Sequence, residues 1–140
     1  MKECMVVGYV FDGDLVLLIR KNRPNWQSGK LNGIGGHIEL NETPIEAMRR
    51  ECIEECGLDI ENWKNICYME GKDWELEIFA AKVSIGRIGK AESRTDEQVE
   101  IYDANRIWEE ETVPNVKWLI PMCLEHINNP HTFKKAHFIY

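Results

Sequence analysis

Two apolar runs open the chain, at 5–11 and 15–19, on either side of Asp12-Gly13-Asp14. An Asp-Gly pair between two such runs is hairpin chemistry, because glycine takes the positive φ that a tight turn requires. The pattern predicts a β-hairpin. From 21 to 36 the spacing lapses: Pro24, three asparagines, Gly29, Gly33 and the Gly35-Gly36 pair predict loop with one short extended piece. Helical periodicity follows. Ile45, Met48, Cys52 and Cys56 recur at steps of three, four and four, which aligns them as one stripe packing on a sheet. Thr43, Pro44 and Glu46 supply an N-cap, a first-turn proline and the glutamate of a capping box, and Gly57 is a C-terminal stop. Apolar, β-prone segments at 66–69, 76–83 and 99–102 predict three further strands. A second helix is expected from about 116 to 127, closed by Asn128-Asn129-Pro130, and 133–140 reads as a final edge strand. Elements in this order make a mixed α/β domain, with one sheet layer, whole or split, between two main helices.

The length of 140 residues corresponds to a single domain over 1–140, and 44% hydrophobic with 29% charged residues excludes a disordered tail. The 24 acidic residues exceed the 17 lysines and arginines, for a net charge of −7. Such a surface repels phosphate backbones and anionic lipid, so neither a nucleic-acid polymer nor a membrane is an expected partner. The absence of an export-length or membrane-length apolar run predicts a cytoplasmic protein. Nothing in the pattern indicates an oligomeric state. The five cysteines include no Cys-x-x-Cys pair, which argues against a disulfide framework or a zinc knuckle; Cys52 and Cys56 read as buried thiols filling the core.

The acids are unevenly spread. Eight lie between Glu39 and Glu61, and eight between Glu92 and Glu111. On the first helix Glu51, Glu54 and Glu55 fall within an arc of about 100°. Like charges so placed repel, by a few tenths of a kcal/mol per exposed pair. Two readings fit: a solvated acidic face balanced by Arg49 and Arg50, or a site for a hard divalent cation that prefers oxygen ligands.

Gly36, five residues, Glu42, seven residues and then Arg50-Glu51-Cys52-Ile53-Glu54-Glu55-Cys56-Gly57-Leu58 resemble the Nudix signature of the MutT-like pyrophosphohydrolases. All seven fixed residues match. Cys52 departs from the bulky aliphatic favoured there, at a packing position. The resemblance implies an α/β/α sandwich, with a mixed sheet between helices. It also implies that the Gly36 carbonyl, Glu51, Glu54 and Glu55 bind Mg²⁺, with Mn²⁺ as the alternative, while Arg50 orients the glutamates and Glu42 supports it. Glu51 is the expected base, because one carboxylate must take the proton of the attacking water. By the same resemblance Glu97 is a further metal ligand, with Glu100 the runner-up.

The segment Lys30-Leu31-Asn32-Gly33-Ile34-Gly35-Gly36-His37 is similar to one in oxidised-purine nucleoside triphosphate hydrolases of the family. That likeness makes Asn32 a base contact, Trp26 a stacking residue and Lys21 a phosphate contact, and it puts His37 where relatives carry lysine. Asn115 stands where paired aspartates read the base in mammalian members, so preference for 8-oxo-guanine does not carry over. The implied reaction is hydrolysis of a nucleoside triphosphate, purine and normal or oxidised, to monophosphate and pyrophosphate. The alternatives are another nucleoside diphosphate derivative, such as ADP-ribose or a dinucleoside polyphosphate, or a non-catalytic nucleotide-sensing module.

Overall fold

A computed structural model describes all 140 residues. Strands β1 (Glu3–Asp12) and β2 (Leu15–Arg20) form the expected hairpin, with Gly13 at φ 57° in the turn. The two arms pair only near that turn, from Val10↔Leu17 to Asp12↔Leu15. Beyond it they part, and the next segment fills the fork. There β3 (Leu31–Asn32) pairs with β2, and β4 (Ile34–His37) pairs with β1. A stretch expected to be mostly loop thus adds two short strands. Glycine makes this wedge feasible: a Cβ on Gly35 would lie 2.0 Å from the Val6 carbonyl oxygen.

Helix α1 (Pro44–Cys56) begins and ends as its caps dictate. The Glu46 N–H donates to Thr43 Oγ1 at 3.3 Å and the Thr43 N–H to Glu46 Oε1 at 2.9 Å, while Gly57 closes the helix at φ 79°. After α1 come β5 (Lys64–Glu70), β6 (Trp74–Lys82), β7 (Gln98–Asp103), α2 (Val116–Asn128) and β8 (Ala136–Ile139). A 3-10 turn at Ala104–Glu109, which carries no distinctive apolar period, joins β7 to the segment before α2.

The sheet runs β3-β2-β1-β6-β5-β8, with β4 also on β1 and β7 also on β2. It is mixed, since β1/β6 and β5/β8 are parallel and the remaining pairs antiparallel. Side chains alternate across it. Val6, Val10, Leu17, Ile19 and Ile34 pack with Ala47, Met48, Cys52 and Cys56 of α1. Tyr9, Phe11, Val16 and Leu18 pack with Val116, Leu119, Ile120 and Cys123 of α2. The molecule is therefore an α/β/α sandwich. One member of the expected α1 stripe differs: Ile45 is 44% exposed in the first turn, and Ala47 joins the buried face instead. No helix is long and apolar enough to cross a membrane.

Candidate active site

Strand β4 leads through a short loop into α1, and this path sets Gly36 against the middle of the helix. The hub of the resulting cluster is Arg50. Its Nε and Nη2 donate to the two oxygens of Glu42 at 2.7 and 2.9 Å, a bidentate pair. Its Nη1 donates to Glu51 Oε1 at 2.8 Å and Glu54 Oε2 at 3.3 Å, and its Nη2 also reaches the His37 carbonyl at 3.0 Å. The guanidinium, with the Glu39 N–H at 2.9 Å, holds the Glu42 carboxyl below its ordinary range. The pairing in turn raises Arg50 above its ordinary value.

The three helix carboxylates occupy different environments. Glu54 is 55% exposed along its side chain. Glu51 lies under Gly36, so close that a Cβ there would fall 2.4 Å from Glu51 Oε1. Glu55 is buried and accepts one bond, from the Gly35 N–H at 3.2 Å. Burial, and then the charge of Glu51, push the Glu55 carboxyl up to about 8. With Arg50 holding Glu51 and Glu54, no three acidic, cysteine or histidine side chains converge on one point. The oxygen donors nonetheless fit a hard divalent ion: a buried acid beside a second acid, under a glycine backbone with no Cβ in the way.

The second acidic stretch is tied to the same helix. The Glu92 N–H donates to the Cys56 carbonyl at 3.0 Å and the Arg94 N–H to that of Glu55 at 3.2 Å. Sheet register then separates the two candidate glutamates. Val99 pairs with Ile19 of the α1-side core and Glu100 with Leu18 of the α2-side core. Glu100 accordingly faces away from α1, held by Arg20 at 2.8 and 3.1 Å and by the Tyr102 hydroxyl. Glu97 is buried and accepts from Lys21 Nζ at 3.0 Å and from the backbone N–H groups of Asn22 at 2.7 Å and Arg23 at 3.4 Å. Burial alone would raise this carboxyl, but the Asn22 amide and Lys21 outweigh it and hold it below its ordinary value.

The substrate candidates are less gathered. Asn32 ends β3, four residues before Gly36, and its Oδ1 accepts from the Gly33 N–H at 2.8 Å. Trp26 stands on a 3-10 turn (Asn25–Gln27), 58% exposed. Asn115 stands at the N-terminal boundary of α2 with φ 79°, and its Oδ1 accepts from Trp118 Nε1 at 3.2 Å rather than bonding any group of the Arg50 cluster. The His37 side chain turns outward to Glu3 at 3.7 Å, leaving only its carbonyl to the cluster. A surface cleft of about 350 Å³ lined by Tyr68, Glu77, Lys135, Ala136 and His137 shares no residue with these groups. Residue-type reasoning misses the backbone donors of Gly35, Asn22 and Arg23; only the paired glycines mark in the sequence that a backbone approaches something closely there.

A model of the NUDIX domain matches residues 4–123. Among solved structures, a NUDIX hydrolase from Nitrosomonas europaea superposes with a TM-score of 0.75 at 17% identity, covering 99% of this chain and 78% of its own. The NUDIX domain of Shewanella oneidensis NrtR, complexed with ADP ribose, gives 0.79 at 13% identity, covering 91% and 89%. A MutT protein from Bacillus halodurans gives 0.70 at 20%, covering 99% and 90%. At these identities the likeness is one of fold.

Proposed function

The chain belongs to the NUDIX family, and from that premise we propose that it is a Mg²⁺-dependent pyrophosphohydrolase, Mn²⁺ being the alternative ion. Its substrate on this reading is a nucleoside triphosphate, purine and normal or oxidised, cleaved to monophosphate and pyrophosphate by the one domain, 1–140. The observation that carries the reading is the Glu55 carboxyl buried beside Glu51 beneath Gly35 and Gly36, with one backbone donor to satisfy it. A buried like-charged pair is costly unless a cation joins it.

Glu51, Glu54, Glu55 and the Gly36 carbonyl would hold the ion, with Glu97 as a further ligand on the α1 face. When bound, a divalent ion there would neutralise charge on the phosphoryl oxygens and would lower the pKa of an attacking water. The remaining work belongs to side chains. Arg50, clamped by Glu42, fixes the directions of Glu51 and Glu54. Glu51 takes the proton of the attacking water. Lys21 meets a phosphate, Asn32 and Asn115 hydrogen-bond the base, and Trp26 stacks on it.

A second reading, a nucleoside diphosphate derivative such as ADP-ribose or a dinucleoside polyphosphate, draws support from one likeness. The NUDIX domain of Shewanella oneidensis NrtR, alike in fold, is complexed with ADP ribose, a compound of this class. A sensing module without turnover is disfavoured by the complete set of glutamates. The deciding experiment is a panel of normal and oxidised nucleoside triphosphates, ADP-ribose and dinucleoside polyphosphates with Mg²⁺, scoring pyrophosphate and phosphate separately. Pyrophosphate release from triphosphates is expected; no hydrolysis of any compound would overturn the enzymatic reading.

A further inference from the structure

Sheet register brings one basic and one acidic residue together at the rim of the site. Gln98 pairs with Arg20 in the β2/β7 ladder, so Glu97 just before β7 stands opposite Lys21 just after β2. Lys21 Nζ lies 3.0 Å from Glu97 Oε1, and the two side chains are 19% and 9% exposed. The other carboxylate oxygen is held by the Asn22 and Arg23 backbone N–H groups. Of the partners of Glu97, then, the amides are fixed by the chain path, and the ammonium, at the end of a flexible four-carbon stem, is the one that can leave.

We propose that Lys21 is a built-in placeholder cation: its ammonium neutralises Glu97 while no divalent ion is bound, and gives the carboxylate up when one loads. The displaced ammonium then becomes available to a substrate phosphate, so one residue serves the two states of the site in turn. No covalent bond is made or broken; the Lys21 hydrogen bond to Glu97 Oε1 is exchanged for ligation of the divalent ion by the same carboxylate, and the ammonium passes to solvent or to a phosphate. Burial makes the exchange matter, because charges interact more strongly there than in open water. The proposal rests on the reading of Glu97 as a metal ligand.

The test is a Mn²⁺ titration without substrate, with unbound ion counted by electron paramagnetic resonance. The proteins are wild type, Lys21→Met, Lys21→Gln, Glu97→Gln and the Lys21→Met/Glu97→Gln pair. Removing the ammonium should tighten binding at the Glu97-dependent site about tenfold, the scale of a close, partly buried charge pair, and the gain should vanish in the Glu97→Gln background. Unchanged or weaker binding in both Lys21 variants overturns the placeholder, and so does an equal gain without Glu97, which would mark a general field effect. Lys21→Gln keeps a polar tip and covers the case in which the methionine variant does not fold. If Glu97→Gln binds Mn²⁺ as wild type does, Glu97 is no ligand and both ideas fall. If it weakens binding while neither Lys21 variant tightens it, the ligand reading stands alone.

Discussion

Glu55 and Glu54 are adjacent in sequence and opposite in circumstance, and the difference makes separate predictions. In the metal-free protein the folded-state carboxyl of Glu55 lies above its unfolded value, at about 8. The native state therefore binds more protons than the unfolded chain across that interval, and the contribution of this group to stability falls as pH rises from about 5 to 8. Melting temperatures in chelator should decline over that window, and Glu55→Gln should flatten the decline; a parallel decline in the variant would locate its cause elsewhere. Glu54 is more than half exposed. Its replacement by Gln should leave metal-free stability within about 1 kcal/mol of wild type in a urea titration and cost at least about 10²-fold in kcat, the scale of a disabled base or ligand. Near-normal turnover in Glu54→Gln would remove it from the ion's ligands.

At the scale of elements, α1 is positioned by its caps and by the glycines of β4. Substituting Thr43 with Ala removes half of a capping box and should cost about 1 kcal/mol in a urea titration. Gly36→Ala should act differently. Its new Cβ meets a flexible carboxylate 2.4 Å away, so Glu51 yields while the fold stays, and Mg²⁺ affinity drops with little change in the urea midpoint. An equal loss in both measurements would mean that Gly36 serves packing. The same contrast explains what was legible in the sequence. Helix α1 was readable to within a residue because its start and stop are local chemistry, carried by Thr43, Pro44, Glu46 and Gly57. Strands β3 and β4 were not, since a Gly-rich segment has no apolar period and takes its structure from the fork between β1 and β2. Resemblance alone favours Glu97 over Glu100; that Glu100 faces away from α1 needs register, since only its pairing with Leu18, beside Val99 with Ile19, tells which face is which. Backbone donors such as the Gly35 amide leave no trace in residue type at all.

Over the whole molecule the charge of −7 is not a uniform coat. In the metal-free state Arg50 pairs with Glu42, Glu51 and Glu54 and Lys21 pairs with the buried Glu97, while Glu55 has only the Gly35 amide. This makes the site's response to salt specific. Exposed acids respond to ionic strength alone, through screening over about 10 Å at 0.1 M. A buried pair such as Glu51 and Glu55 is screened far less and responds to an ion that enters. Titrating MgCl₂ and NaCl at matched ionic strength should therefore separate the two. At a hundredfold excess over its dissociation constant a native-state ligand stabilises by about 2.7 kcal/mol, so Mg²⁺ should raise the melting temperature by several degrees beyond NaCl, and Glu51→Gln should abolish the excess while keeping the shared part. Identical curves for the two salts would mean that the acidic helix is a solvated face after all, and the Nudix carboxylates of this chain would be without their ion.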